Sequence, residues 1–237
     1  MEPNLEEPLP KTPHARDVTL AQPARLLIFD LDGTLIDSQL DLANSVNAAR
    51  AHLGMGAIAN ELVYSYVGNG APVLIRRALG PEASESDVDR ALQFFLAYYR
   101  DHMLDHTRLY PGVREALDRL HEAGKLLAVL TNKPVRFSEA LMSGLGLGSH
   151  FQRIYGGNSF AEKKPHPIGI DTLLNDLSAT ATETIMVGDS SVDIRTARNA
   201  GTGACGVTFG FQPETFLEHP PDFLVDDMRE LADLVLG

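Results

Sequence analysis

Cysteine is almost missing from this chain: Cys205 is the only one in 237 residues. A single thiol excludes an intramolecular disulfide and a cysteine-built zinc cluster. Set in an apolar strand, Cys205 reads as a small core residue and not as a nucleophile. Positive charge is also scarce, with 20 Lys and Arg against 32 Asp and Glu and a formal net charge of −12. Phosphate backbones are bound by Lys and Arg, so this balance argues against a nucleic-acid partner. No apolar run approaches the roughly 20 residues that cross a bilayer, so no membrane partner is expected. The N-terminus has no basic region followed by an apolar one. No secretory signal is therefore expected there, and the cytoplasm is the expected location. Internal repeats and low-complexity segments beyond the first residues are absent.

What is present is an ordinary globular composition, 44% apolar and 22% charged. The length allows one large domain, or a core with a smaller inserted one. The most informative stretch is Leu26-Leu27-Ile28-Phe29-Asp30-Leu31-Asp32-Gly33-Thr34. Four consecutive apolar residues predict a buried strand of a parallel sheet. Two carboxylates follow at its end, then a glycine that permits a sharp turn and a close ligand approach. Ligands of open α/β sheets bind beyond the carboxyl ends of the strands.

Residues 1–24 carry Pro3, Pro8, Pro10, Pro13 and Pro23 among polar residues and read as a mobile tail. From Asp37 the period becomes helical, with Leu42, Val46, Ala49 and Leu53 on one face. Further helices are expected over Glu61–Val67, Pro72–Leu79 and Ser86–Leu104. Residues 37–107 thus form a helical block that follows one strand and precedes the next. That is the pattern of a cap domain inserted into an α/β core made of residues 25–36 and 108–237. Strands are then expected at Leu126–Leu130, Arg153–Tyr155, Ile185–Val187, Ala204–Val207 and Phe223–Val225, with helices between them. The fold class is α/β, a doubly wound, mainly parallel Rossmann-like sheet with an inserted helical cap. Hinges are expected at 34–38 and 107–112.

Three strand ends carry complementary polar groups: Asp30 and Asp32; Thr131, Asn132 and Lys133; Asp189 and Asp193. Lys164 starts a helix between the last two sets. Parallel strands bring these ends to one edge. Carboxylates a few ångström apart repel by roughly several kcal/mol at reduced dielectric. A hard cation with oxygen ligands resolves this, and Mg²⁺ is the obvious one. Lys164, Thr131 and backbone N–H groups of the glycine-bearing loop would hold phosphate oxygens. The expected ligand is a small phosphorylated metabolite.

Asp30-Leu31-Asp32-Gly33-Thr34, Thr131-Asn132-Lys133-Pro134, Lys164-Pro165 and Gly188-Asp189-x-x-x-Asp193 resemble, in order, the four motifs of haloacid dehalogenase superfamily phosphatases. The resemblance covers residues 25–237. Val67-Gly68-Asn69-Gly70-Ala71-Pro72, Leu109-Tyr110-Pro111-Gly112-Val113 and Lys163-Lys164-Pro165-His166-Pro167 look like the phosphoglycolate phosphatases within that superfamily. The resemblance implies Mg²⁺-dependent phosphomonoester hydrolysis, with 2-phosphoglycolate the expected substrate. Same-fold alternatives act on a sugar phosphate, nucleotide or pyrophosphate, or are sugar phosphomutases. By position, Asp30 would be the nucleophile that carries an aspartyl-phosphate. Asp32 would be the general acid and then base, a role that calls for a carboxyl holding its proton near neutral pH. The side chains of Asp30 and Asp189 and the backbone carbonyl of Asp32 would hold the metal. Asp193 would be an outer ligand or orient Lys164. Gly33, Thr131, Asn132 and Lys164 would meet the phosphoryl group.

Of the two adjacent lysines, Lys164 directly precedes the proline, as the family pattern requires. Gly68, Asn69 and Gly70 would turn backbone donors toward the leaving group. Arg76 or Arg77 could meet a substrate carboxylate, but solvated arginines on a helix face are commoner. His102 and His106 have metal-ligand spacing without a third partner, so a surface pair is expected. Monomer and homodimer are equally compatible with the sequence.

Overall fold

The structure, a computed structural model, describes residues 12–237. Its elements in chain order are β1 (Leu26–Phe29), β2 (Ile36–Asp37), α1 (Gln39–His52), α2 (Asn60–Tyr64), α3 (Ala71–Leu79), α4 (Glu85–His102), β3 (Arg108–Leu109), α5 (Val113–Glu122), β4 (Leu126–Leu130), α6 (Val135–Gly144), β5 (Arg153–Tyr155), α7 (Ile168–Asp176), β6 (Thr184–Gly188), α8 (Ser191–Ala200), β7 (Gly203–Val207), β8 (Phe223–Val225) and α9 (Met228–Leu236).

Six strands make one parallel sheet in the order β5-β4-β1-β6-β7-β8. The chain builds outward from β1 through β4 and β5, then returns to the other side of β1 with β6. The strand order therefore reverses between β1 and β6, where an open sheet leaves its ligand crevice. Phe29 pairs with Val187, so Asp30 and Gly188 leave neighbouring strands together. Alternation along β1 serves two cores. Leu27 and Phe29 face α5, α6 and α9 through Leu117, Leu141 and Leu231. Leu26 and Ile28 face α7 and α8 through Leu173 and Ile194. All four are fully buried, which explains the unbroken apolar run.

Helices α1 to α4 stand between β2 and β3. The predicted hinge segments pair as a short antiparallel ribbon, Ile36 with Leu109 and Asp37 with Arg108. Just beyond it, the buried Asp41 in the first turn of α1 accepts hydrogen bonds from His106 N (3.0 Å), Thr107 N (2.8 Å) and Thr107 Oγ1 (2.8 Å). His106 Nδ1 lies 2.8 Å from its other oxygen. One carboxylate thus joins the chain entering the helical block to the chain leaving it. Burial raises the Asp41 carboxyl, but these donors outweigh it and hold the group below its ordinary range. His106 is engaged here and His102 bonds Asp105, so the two histidines share no partner.

The expected tail is anchored at Pro13–Ala15; its first part, 1–11, lies outside the described residues. His14 bridges to Leu224 beside β8, Pro13 O accepts from Leu224 N, and Ala15 is buried. The edge strand β8 offers free backbone groups, and this segment satisfies them. Low apolar content did not preclude docking on a sheet edge.

Candidate active site

The carboxyl ends of β1, β4 and β6 converge as expected. Asp30, Thr131, Asn132, Lys133, Lys164, Asp189 and Asp193 are all buried. Gly33 turns at φ +83°, and a Cβ there would lie 2.1 Å from Asp189 Oδ2, so this acidic loop closes onto β6 only with glycine.

Oxygen atoms of Asp30, Asp189 and Asp193 lie within 4.8 Å of one another. Burial pushes the Asp30 carboxyl up to about 6, with Lys164 opposing and Asp193 adding to the rise. Asp189 is raised well above its ordinary value by burial and then by Asp193 and Asp30. Lys164 Nζ bonds Asp193 Oδ1 at 2.6 Å and stands 3.0 Å from Asp30 Oδ1, out of line for a hydrogen bond. Burial would lower the Lys164 ammonium, but Asp193 and Asp30 win and raise it to about 12. Asp30 Oδ1 is buried without a hydrogen bond among the described residues. A hard cation with oxygen ligands fits these observations, because it relieves the repulsion and takes up the orphaned oxygen.

Asp193 is held differently from the other two. Its Oδ2 accepts from Ser190 N at 3.2 Å and Ser190 Oγ at 2.8 Å, completing a capping box at the start of α8. With Oδ1 on Lys164, both oxygens have protein donors. Asp189 Oδ2 accepts from Phe211 N at 2.7 Å in the loop after β7.

Asp32 points away from this cluster. Its Oδ1 accepts from Ser38 Oγ at 2.5 Å, and Lys133 Nζ lies 3.0 and 2.9 Å from its two oxygens. Ser38 and Lys133 thus share the Asp32 carboxyl at the floor of the crevice. Its assignment near the metal rests on its backbone carbonyl alone.

The glycine loop also differs from expectation. Gly68 presents a carbonyl to the core, accepting from Asn132 Nδ2 at 3.0 Å. Asn132 also bonds the Lys164 backbone through Oδ1 (3.0 Å) and Nδ2 (3.2 Å), so its side chain ties β4, Lys164 and the helical block together. Gln212 Nε2 donates to Val67 O at 2.8 Å from the opposite side. Between these two contacts lies a cavity bounded by Asp30, Asp32, Thr131, Asn132, Lys133 and Asp189 below and by the helical block above. Gly68 and Gly70 line it and Asn69 does not. Arg76 pairs with Glu85 and, like Arg77, borders a separate surface hollow.

Sequence reasoning missed the contacts of Lys133, Ser38 and Gln212. Lys133 had a signal, as the third residue of Thr131-Asn132-Lys133 at a strand end. Ser38 and Gln212 had none.

A parallel sheet with an acidic switch-point crevice, a buried lysine bridging two of its carboxylates and a helical block over the crevice make up an α/β core with its ligand crevice covered. The chain belongs to the haloacid dehalogenase-like hydrolase family, whose model matches residues 27–207. It is 41% identical over 224 residues to the phosphoglycolate phosphatase of Vibrio vulnificus strain CMCP6, covering 91% of this chain and 97% of that protein. The crystal structure of a predicted phosphoglycolate phosphatase from Haemophilus somnus 129PT superposes with a TM-score of 0.85 at 33% identity, covering 90% of this chain and 99% of that one. CbbY from Rhodobacter sphaeroides, solved in complex with phosphate, superposes with a TM-score of 0.70 at 26% identity, covering 88% of this chain and 96% of that one.

Proposed function

We propose that this chain is a Mg²⁺-dependent phosphomonoester hydrolase that converts 2-phosphoglycolate to glycolate and phosphate. The observation that carries the reading is the buried group of Asp30, Asp189 and Lys164, in which one ammonium faces a carboxylate oxygen with no hydrogen bond of its own. Mg²⁺, held by Asp30, Asp189 and the Asp32 carbonyl, would neutralise the acidic edge and draw in the phosphate. Asp30 attacks phosphorus; the ester P–O bond breaks and an aspartyl-phosphate forms. Asp32 protonates the departing alkoxide. The proton it gives up arrives with the substrate, a phosphate ester bound as its monoanion. Asp32 then takes a proton from water, which attacks phosphorus and restores Asp30. Lys164, oriented by Asp193, and Thr131 stabilise charge on the transferring group. Helices α1 to α4 act as a cap that opens at the β2–β3 ribbon and excludes water when closed.

The test is phosphate release from a panel of 2-phosphoglycolate, hexose phosphates, nucleotides and pyrophosphate with Mg²⁺. The highest kcat/KM is expected for 2-phosphoglycolate, and Asp30→Asn is expected to release none. Preference for a ring sugar phosphate removes the glycolate assignment. Release of phosphate from no ester removes the reading altogether.

A further inference from the structure

The helical block offers the cavity an almost wholly apolar wall, built by Leu42, Val67, Leu74, Phe95 and Leu96. Tyr99 is the one polar side chain that this block contributes among the described residues. Its residue is 1% exposed, and its hydroxyl is buried with no hydrogen-bond partner among the described residues. The ring is fixed by stacking on Phe95, with centroids 5.6 Å apart, and by an edge contact to Phe137 at 5.5 Å. An orphaned buried hydroxyl on a fixed ring is destabilising, and in a native fold it calls for a ligand. Lys133 Nζ stands 4.6 Å from the centre of the same ring. An ammonium has three N–H donors. Two contacts go to Asp32, and Lys133 lines the cavity beside Tyr99.

We propose that the Tyr99 hydroxyl and the remaining Lys133 N–H form the leaving-group subsite, and that it selects phosphate esters whose leaving group carries a carboxylate. The inference rests on the phosphomonoesterase reading and names what determines its substrate. A carboxylate is acceptor-only when ionised, so it matches a neutral phenol donor and an ammonium donor together. A hexose would bring several hydroxyls against an apolar wall, leaving most of them unpaired. A site built to hydrogen-bond a polar group rejects an analogue that lacks it far better than an apolar pocket rejects an added group.

The experiment measures kcat and KM for 2-phosphoglycolate and for ethyl phosphate, with Mg²⁺, in the wild type and in Tyr99→Phe. Phenylalanine keeps the stacking on Phe95, and thermal unfolding of the variant checks the fold. The wild type is expected to prefer 2-phosphoglycolate. In Tyr99→Phe the ratio of kcat/KM for 2-phosphoglycolate over ethyl phosphate is expected to fall at least about tenfold, chiefly through KM. A folded Tyr99→Phe whose ratio stays within about threefold of the wild type overturns the subsite and leaves the substrate standing. A wild type with no preference between the two esters overturns both the substrate and the subsite.

Discussion

Lys133 Nζ bonds both carboxylate oxygens of Asp32, at 3.0 and 2.9 Å, with each side chain largely shielded from solvent. The pair joins the end of β4 to the loop after β1 at the floor of the cavity. Removing one partner leaves a buried charge without compensation, which costs about 3 kcal/mol or more. Lys133→Met is therefore expected to lower unfolding free energy by about that amount, measured by urea denaturation. Adding Asp32→Asn should recover most of the loss, because the uncompensated charge is then gone. Lys133→Met should also reduce kcat/KM by roughly 10²-fold. The loss should be smaller with p-nitrophenyl phosphate, whose leaving group needs no proton from Asp32.

Asp41 performs a structural task of the same kind at the base of the helical block. Asp41→Ala strips acceptors from His106 N, Thr107 N and Thr107 Oγ1 together. A loss of about 3 kcal/mol is expected. The folded carboxyl is held below the ordinary 3.8, so its contribution is complete above that value and disappears as pH falls below it. The stability gap between wild type and Asp41→Ala should accordingly be constant from neutral pH down to about 5 and narrow at lower pH. Parallel urea titrations of the two proteins check this.

The hydroxyl of Tyr99 has the opposite sign. Among the described residues it has no hydrogen-bond partner, so its removal takes nothing away and relieves a desolvation penalty of about 1 kcal/mol. Tyr99→Phe is expected to melt at the same temperature as wild type or higher in a differential scanning experiment.

These pairs separate what the sequence makes legible from what it does not. The run Leu26–Phe29 predicts a central strand because burial on both faces leaves no polar position to interrupt it. Asp30, Asp189 and Lys164 are legible because topology alone brings strand ends to one edge. The Asp32–Lys133 bond is not, since it depends on side-chain rotamers across residues 101 apart in sequence. Tyr99 reads as one more apolar member of a helical stripe, and periodicity cannot say that its hydroxyl is left unpaired. The docking of Pro13 and His14 on β8 is hidden for a related reason. Backbone bonding at a sheet edge asks little of the side chains.

The acidic edge carries a pH signature that separates its charge repulsion from its fold. Burial lifts Asp30 from the ordinary 3.8 to about 6 in the metal-free protein. Between those two values the folded state binds more protons than the unfolded state, so stability falls as pH rises through this window. Above it, ionised Asp30 destabilises the fold by roughly 3 kcal/mol relative to a group with no shift. Asp30→Asn keeps the shape and removes the charge, while Lys164 retains Asp193 at 2.6 Å. In chelator-treated protein the variant should therefore melt several degrees above the wild type at pH 8, and the two should converge toward pH 4. Mg²⁺ should close the gap from the other side, raising the wild-type melting temperature more at pH 8 than at pH 5, because protons and the cation compete for the same oxygens. A variant less stable than the wild type at pH 8 without metal would mean that Asp30 is a net stabilising partner of Lys164.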